Sequence, residues 1–275
     1  MAIFTIKNTD NKKILCTQSP KNFAPLNEIE CATKEDVANA FIRAREAQSE
    51  WKHVPIQKRI ELLERLATII SQQKERIIDV VISETGKPKQ EALSMEVYSA
   101  LDSIVFYCKR AKKWLADESI KLHGPMRFLK KCKVIYKPRG VIGIITPWNG
   151  PFILSINPVI QCLLSGNAAI VKPSEVTPLS GQLVEEMFVL AGAPKNLVQV
   201  LIGDGEVGEA LITNKPDKIS FTGSVATGRK VAEQCGRLLI PFSLELGGKD
   251  AMVVCEDSNI KEAAQGAVMG SCMNA

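Results

Sequence analysis

The chain has 275 residues, of which 45% are hydrophobic, 5% aromatic and 24% charged, a balance that fills one or two domain cores and excludes a disordered or fibrous chain. With 35 Lys+Arg against 30 Asp+Glu the net charge is only +5, so the densest basic run, Lys130-Lys131-Cys132-Lys133, reads as a solvated strand face and not as a nucleic-acid or membrane site. Eight cysteines lack any Cys-x-x-Cys pair and the histidines number two, which leaves no metal-ligand cluster and fits reduced thiols.

Residues 1–32 are mixed and partly extended, without a clear period. Met1–Asp10 lacks the basic-then-apolar layout of a signal peptide, and no run reaches the roughly 18 apolar residues of a membrane span, so a cytoplasmic protein is expected. Helices follow. Thr33 stands three residues before Asp36, as in a capping box, and Val37, Ala40, Phe41, Ala44 and Trp51 recur near helical spacing. A second helix starts near Pro55, with Ile60, Leu62, Leu63, Leu66, Ile69 and Ile70 as its stripe. A third runs from Gln73 to Thr85 and stops at Gly86. A long fourth covers Gln90 to Asp117, with Met95, Tyr98, Leu101, Ile104 and Tyr107 on one side.

Gly124-Pro125 marks a turn, and Lys131 to Lys137 alternates with a period of 2, as a strand exposed on one side does. From Pro138 onward strands and helices take turns. The strands expected are Val141–Thr146, Ala168–Lys172, Val198–Ile202, Lys218–Thr222, Phe242–Leu246 and Ala251–Cys255. This is an α/β pattern, a mostly parallel sheet with ligands at the carboxyl ends of its strands.

Four loops carry candidate chemistry. Pro147-Trp148-Asn149-Gly150 follows the first strand of the sheet, and an Asn held rigidly there can donate to a developing oxyanion, although Asn-Gly is also ordinary turn chemistry. Lys172-Pro173-Ser174-Glu175 leaves a buried strand, where a carboxylate can accept from ribose hydroxyls; a plain surface turn reads equally well. Phe221-Thr-Gly223-Ser224…Gly228 opens a helix whose first N–H groups favour a pyrophosphate, but without the P-loop ending or GxGxxG it is also a glycine-bounded turn. Glu245, in the apolar run Ile240-Pro-Phe-Ser-Leu-Glu-Leu246, reads as a desolvated general base with a raised pKa, or as an edge-strand Glu facing water.

Taken together, in this order and at these intervals, the four segments resemble the successive signatures of the aldehyde dehydrogenase superfamily over nearly the whole chain. The resemblance implies a Rossmann-like sheet, with residues 1–117 as the helical part of the cofactor-binding domain and 118–139 as a β-arm of the oligomerisation region. It further implies a dinucleotide-binding domain over 140–246 and the start of a catalytic domain at 247–275. Asn149 would stabilise the oxyanion and Glu245 would activate the hydrolytic water. Lys172 and Glu175 would hold the adenosine ribose, with Ser174 beside them. Ser224 and Trp148 would contact the pyrophosphate, framed by Gly223 and Gly228. Ile145, Thr146, Pro147, Phe221 and Leu246 would line the cofactor site, and Gly205 matches it less closely. Glu175 would repel a 2′-phosphate, which favours NAD, while Lys172 leaves NADP open. Glu245 points to a carboxylate product, against the acyl-CoA-forming and phosphorylating branches.

The resemblance departs at the nucleophile. The chain ends Gly270-Ser-Cys272-Met-Asn274-Ala275, where Asn274-Ala275 would open the family's Asn-x-Gly-Gln-x-Cys segment, so the catalytic cysteine is expected beyond Ala275. Cys272 reads as an inert cysteine ending a helix that starts near Asp257. The chain alone is therefore expected to bind cofactor at best, as part of a homodimeric or homotetrameric enzyme acting on an aldehyde. The alternatives are a non-catalytic dinucleotide-binding or structural protein, or a coenzyme A-acylating or phosphorylating semialdehyde dehydrogenase.

Overall fold

The computed structural model describes residues 3–9 and 12–274. Where the sequence showed no period, β1 (Phe4–Thr9), β2 (Lys12–Gln18) and β3 (Pro25–Glu30) form an antiparallel sheet in the order β1-β2-β3. Its signal was weak because it buries little. Leu15, opposite Ile6 and Ile29, forms a small cluster with Cys31 and Ile202.

The capping box expected at Thr33 starts α1 (Lys34–Trp51). Thr33 Oγ1 accepts the Asp36 amide at 3.1 Å, and Asp36 Oδ2 accepts the Thr33 amide at 2.8 Å. Pro55 is the residue before α2 (Ile56–Gln72), one position outside the expected first turn. Next, α3 (Lys74–Thr85) ends at Gly86 in the left-handed region, φ 75°.

The long fourth helix is interrupted. A short α4 (Lys89–Glu91) runs into a π-helical stretch, Ala92–Tyr98, and then into α5 (Ser99–Trp114). A wider turn rotates the following side chains by about one residue's 100° relative to an α-helix. The buried face is therefore Ala92, Glu96, Val97, Ala100, Ile104 and Ala111, and Tyr98 of the expected stripe is 65% exposed.

The β-arm is smaller than its alternation suggested. Between β4 (Glu118–Ile120) and β5 (Cys132–Val134) lies the short α6 (Met126–Leu129), and only three residues of Lys131–Lys137 pair, all of them exposed.

The main sheet is wholly parallel. Its strands β6 (Val141–Ile145), β7 (Ala168–Lys172), β8 (Val198–Val200), β9 (Lys218–Gly223) and β10 (Phe242–Leu246) lie in the order β10-β9-β6-β7-β8. They alternate with α7 (Ile153–Leu164), α8 (Pro178–Leu190), α9 (Gly205–Thr213) and α10 (Val225–Leu238). Continuous apolar runs such as Ala168–Val171 are fully buried because helices cover both faces. α1 packs with α9, and α9 with α10; α7 and α8 pack with α2. One core joins the N-terminal helices to the sheet.

Two expectations fail toward the end. Val198–Ile202 pairs only as far as Val200, and Ala251–Cys255 forms no strand. Met252, Val253 and Val254 are exposed, without a neighbouring strand among the described residues, and a strand needs its ladder. The last helix, α11 (Ile260–Cys272), starts after a cap at Asn259, not near Asp257. Ala275, the second residue expected to open the nucleophile segment, lies outside the described residues.

Candidate functional site

A parallel sheet puts all its carboxyl ends on one edge. The registers Ile145↔Lys172, Ile145↔Phe221, Thr222↔Glu245 and Gly223↔Leu246 level four strand ends there. The chain builds β7 and β8 on one side of β6 and then crosses to place β9 and β10 on the other. The connections diverge at this switch point, which opens a crevice between the loops that follow β6 and β9. Ile145, Pro147, Trp148, Asn149, Gly223 and Ser224 lie around it.

The loop after β6 is held from below. The Thr146 amide donates to the Lys172 carbonyl at 3.2 Å, and its hydroxyl pairs with Ser155 at 2.8 Å, which fixes the side chain. Trp148 and Asn149 are exposed, and within the described residues the Asn149 side-chain amide makes no hydrogen bond. Its backbone carbonyl, in contrast, accepts from the Lys87 ammonium. Lys87 is ion-paired at 2.7 Å with Glu96, both side chains 0% exposed. The other Glu96 oxygen accepts the amides of Phe152 at 3.1 Å and Ile153 at 2.9 Å. Sequence reading passed over both residues. The available signal was an acid, Glu96, four residues beyond Ala92 and four before Ala100, on the side of the helix that is buried.

After β7, Lys172 is buried and reaches Glu175 Oε2 at 2.9 Å, leaving Glu175 partly exposed. Ser174 is buried, its hydroxyl accepting the Val176 amide at 3.2 Å. Phe221 is likewise a core residue. Ser224 caps α10 by accepting the Thr227 amide at 3.2 Å, and the first turn of α10 opens beside the crevice. A Cβ on Gly228 would stand 2.5 Å from Leu246 Cδ2, so this glycine lets α10 approach β10 closely. Gly205 begins α9 behind the cap Asp204, and a Cβ there would meet nothing within 4 Å.

Glu245 corrects an expectation. Its run is apolar, yet β10 is the edge strand and Glu245, Phe242 and Leu246 are all exposed, so the enclosure meant to desolvate the acid is absent from the described residues. Glu245 lines a cavity of about 1000 Å³ with Thr146, Leu154, Asn157, Thr222 and Ser243. The side-chain oxygen Oδ1 of Asn157 is buried there without a hydrogen-bond partner among the described residues.

Among the described residues no three His, Cys, Asp or Glu side chains group as metal ligands. Burial raises the thiol pKa of Cys162, Cys31 and Cys235, and that of Cys108 to about 11, which keeps these sulfurs protonated and unreactive. Cys272 ends its helix as expected but is exposed, so burial does not account for it.

Comparison with known proteins agrees with this arrangement. The model of the aldehyde dehydrogenase family matches residues 6–275. A Mycolicibacterium smegmatis protein provisionally named succinate-semialdehyde dehydrogenase [NADP(+)] is 40% identical over 250 residues, 91% of this chain and 48% of that protein. The 4,4'-diapolycopene aldehyde oxidase of Methylomonas sp is 38% identical over 239 residues, 86% of this chain and 45% of that protein. Among solved structures, the Mycobacterium tuberculosis aldehyde dehydrogenase complexed with NAD+ superposes with a TM-score of 0.89 at 29% identity, covering 95% of this chain and 54% of that one. The chain thus spans about half the length of the curated relatives it matches.

Proposed function

The chain belongs to the aldehyde dehydrogenase family, and from that premise we propose that it carries the cofactor site and two catalytic groups of an enzyme oxidising an aldehyde to a carboxylate with NAD(P). The observation that carries this reading is the levelling of four strand ends along one sheet edge, which puts Lys172 and Glu245 there, with Asn149 and Ser224 in the segments that follow β6 and β9.

The residues fit a dinucleotide. The free N–H groups at the start of α10, with Ser224 and the exposed indole of Trp148, suit a pyrophosphate. Glu175 offers acceptor oxygens to a ribose, and the Lys172 ammonium beside it offers donors. Open space at Gly205 and the close approach at Gly228 leave room along the edge. The bound nicotinamide supplies a hydride acceptor. The protein groups do the rest. The unbonded Asn149 amide donates to the aldehyde oxygen as a cysteine thiolate of the complete enzyme adds to the carbonyl carbon. Glu245, facing water, takes the proton of the water that hydrolyses the thioester.

Glu175 favours NAD over NADP. The Lys172 ammonium and the NADP named for a relative leave the phosphorylated cofactor within reach. The two relatives' names point to different aldehydes, so the proposal stops at the aldehyde class. The complete enzyme is read as a cytoplasmic homodimer or homotetramer; among the described residues no helix is long and apolar enough to cross a membrane.

Titrating the chain with NAD+ and NADP+ while following tryptophan fluorescence tests the cofactor site. Saturable quenching that Trp148→Phe abolishes is expected, and no saturation with either cofactor would remove the site. Product analysis of the full-length enzyme tests the reaction, with a free carboxylate expected and an acyl-CoA product contradicting it.

A further inference from the structure

We propose that the buried Lys87–Glu96 pair is a positioning device for the Asn149 donor, a role that rests on the reading of Asn149 given above. Together its two members make three hydrogen bonds to backbone atoms of one loop: Lys87 donates to the Asn149 carbonyl, and Glu96 accepts the Phe152 and Ile153 amides. They grip the chain on both sides of Gly150 and, among the described residues, leave the Asn149 side chain without a partner. The backbone is fixed and the amide stays available, which is what a preorganised oxyanion donor requires.

Stability alone is a poor explanation for such a pair. Two fully desolvated charges gain little over an apolar pair of the same volume. The local structure is also bent to supply them. Lys87 follows the left-handed Gly86, and Glu96 lies on the π-helical stretch that rotates it inward. π-helical turns recur at functional sites.

The test is a mutant cycle in the full-length enzyme, read as kcat for aldehyde oxidation and as cofactor Kd. Asn149→Ala should lower kcat by about 10²–10³-fold. Lys87→Met should lower it by roughly 10–100-fold through misplacement of the same group, with the Kd for NAD+ rising by a smaller factor than kcat falls, because Lys172 and Ser224 are untouched and only Trp148 shares the displaced loop. Once Asn149 is alanine, Lys87→Met should cost almost nothing more, since both changes act through one amide. A merely structural residue would give losses that multiply, and that result overturns the proposal, as does an undiminished kcat in Lys87→Met.

If Lys87→Met leaves Glu96 unpaired and fails to fold, the double variant Lys87→Met/Glu96→Gln removes both charges and should recover the thermal midpoint. Its kcat should stay low, and wild-type turnover in it would overturn the proposal. Absence of aldehyde oxidation by the wild type, or an Asn149→Ala enzyme as fast as wild type, would instead refute the parent reading.

Discussion

Glu84 and Ser180 are joined across 96 positions of sequence. The carboxylate at the end of α3 accepts the Ser180 amide at 2.8 Å and its hydroxyl at 2.6 Å. The Leu179 amide adds a third bond at 2.8 Å. A carboxylate from one helix thus caps the start of α8, the helix that leaves the Lys172–Glu175 loop.

This contact makes stability depend on pH. Burial pushes the Glu84 carboxyl up from 4.5 to about 7, against the downward pull of Ser180 and Leu179. Because the folded value is the higher one, folding takes up a proton between the two. The contribution is full below the unfolded value and is lost as pH rises through about 7. Chemical denaturation from about pH 5 to about pH 8 should show wild-type stability falling by on the order of 3 kcal/mol more than that of Glu84→Gln. Parallel curves for the two proteins would contradict the buried, protonatable carboxyl.

Gly181 lies against Pro173 in the same region. A Cβ on Gly181 would stand 2.3 Å from the proline Cγ and 2.4 Å from its Cβ, and a change of ring pucker moves Cγ but leaves Cβ nearly in place. Gly181→Ala should therefore destabilise by about 1–3 kcal/mol from overpacking, outweighing the roughly 1 kcal/mol that alanine gains in a helix. Pro173 sits between Lys172 and Ser174, so cofactor affinity should fall as well. A raised thermal midpoint would show that the ring yields.

Glu175 is expected to set cofactor preference. Glu175→Gln removes the charge proposed to face the ribose 2′ position and frees the Lys172 ammonium, now 2.9 Å away. Calorimetric titration should show NADP+ binding strengthened by about tenfold, or 1.4 kcal/mol, while NAD+ binding weakens. An unchanged ratio would take the ribose away from this loop.

Glu245→Gln separates the two halves of the reaction. In the full-length enzyme a fast burst of NADH should remain while steady turnover drops by about 10²–10⁴-fold. If the burst slows as much as turnover, Glu245 acts before the thioester is formed and is not the hydrolytic base.

Much of the sheet was legible because its central strands are buried on both faces and its strand limits carry local marks. Ala168–Lys172 and Phe242–Leu246 were bounded correctly, since apolar runs closed by Gly, Pro or Lys mark strand limits. The capping box at Thr33 was legible because it is local. What failed depends on distant partners. The edge position of β10, which exposes Glu245, comes from strand order, and the period of one strand does not contain it. The π-helical stretch leaves no mark in an apolar count, so the buried face of Ala92–Ala111 was misjudged and Glu96 with it.

The strand that leads into the Lys172–Glu175 loop has a different kind of residue at its other end. Gly166 and Asn167 precede β7 and so lie at the edge away from the crevice. Asn167 Oδ1 accepts the amides of Arg139 at 2.7 Å and Gly140 at 2.9 Å, fixing the start of β6. Their neighbours Lys172 and Glu175 lie five or more residues on, at the ligand edge. A linear pattern cannot tell architecture from chemistry when one strand carries both.

The pairing of Glu84 with α8 and of Glu96 with Phe152 has a consequence for how the molecule assembles. Two elements on the ligand edge, the start of α8 and the end of the loop after β6, are each fastened by a carboxylate that leaves the ribosome well before they do, 96 and 56 positions ahead. The strands can zip to their neighbours over short chain segments, but the fastenings close only when the helical block docks onto the finished sheet. Binding competence should therefore be acquired last in folding and given up first in unfolding, ahead of any loss of strand content.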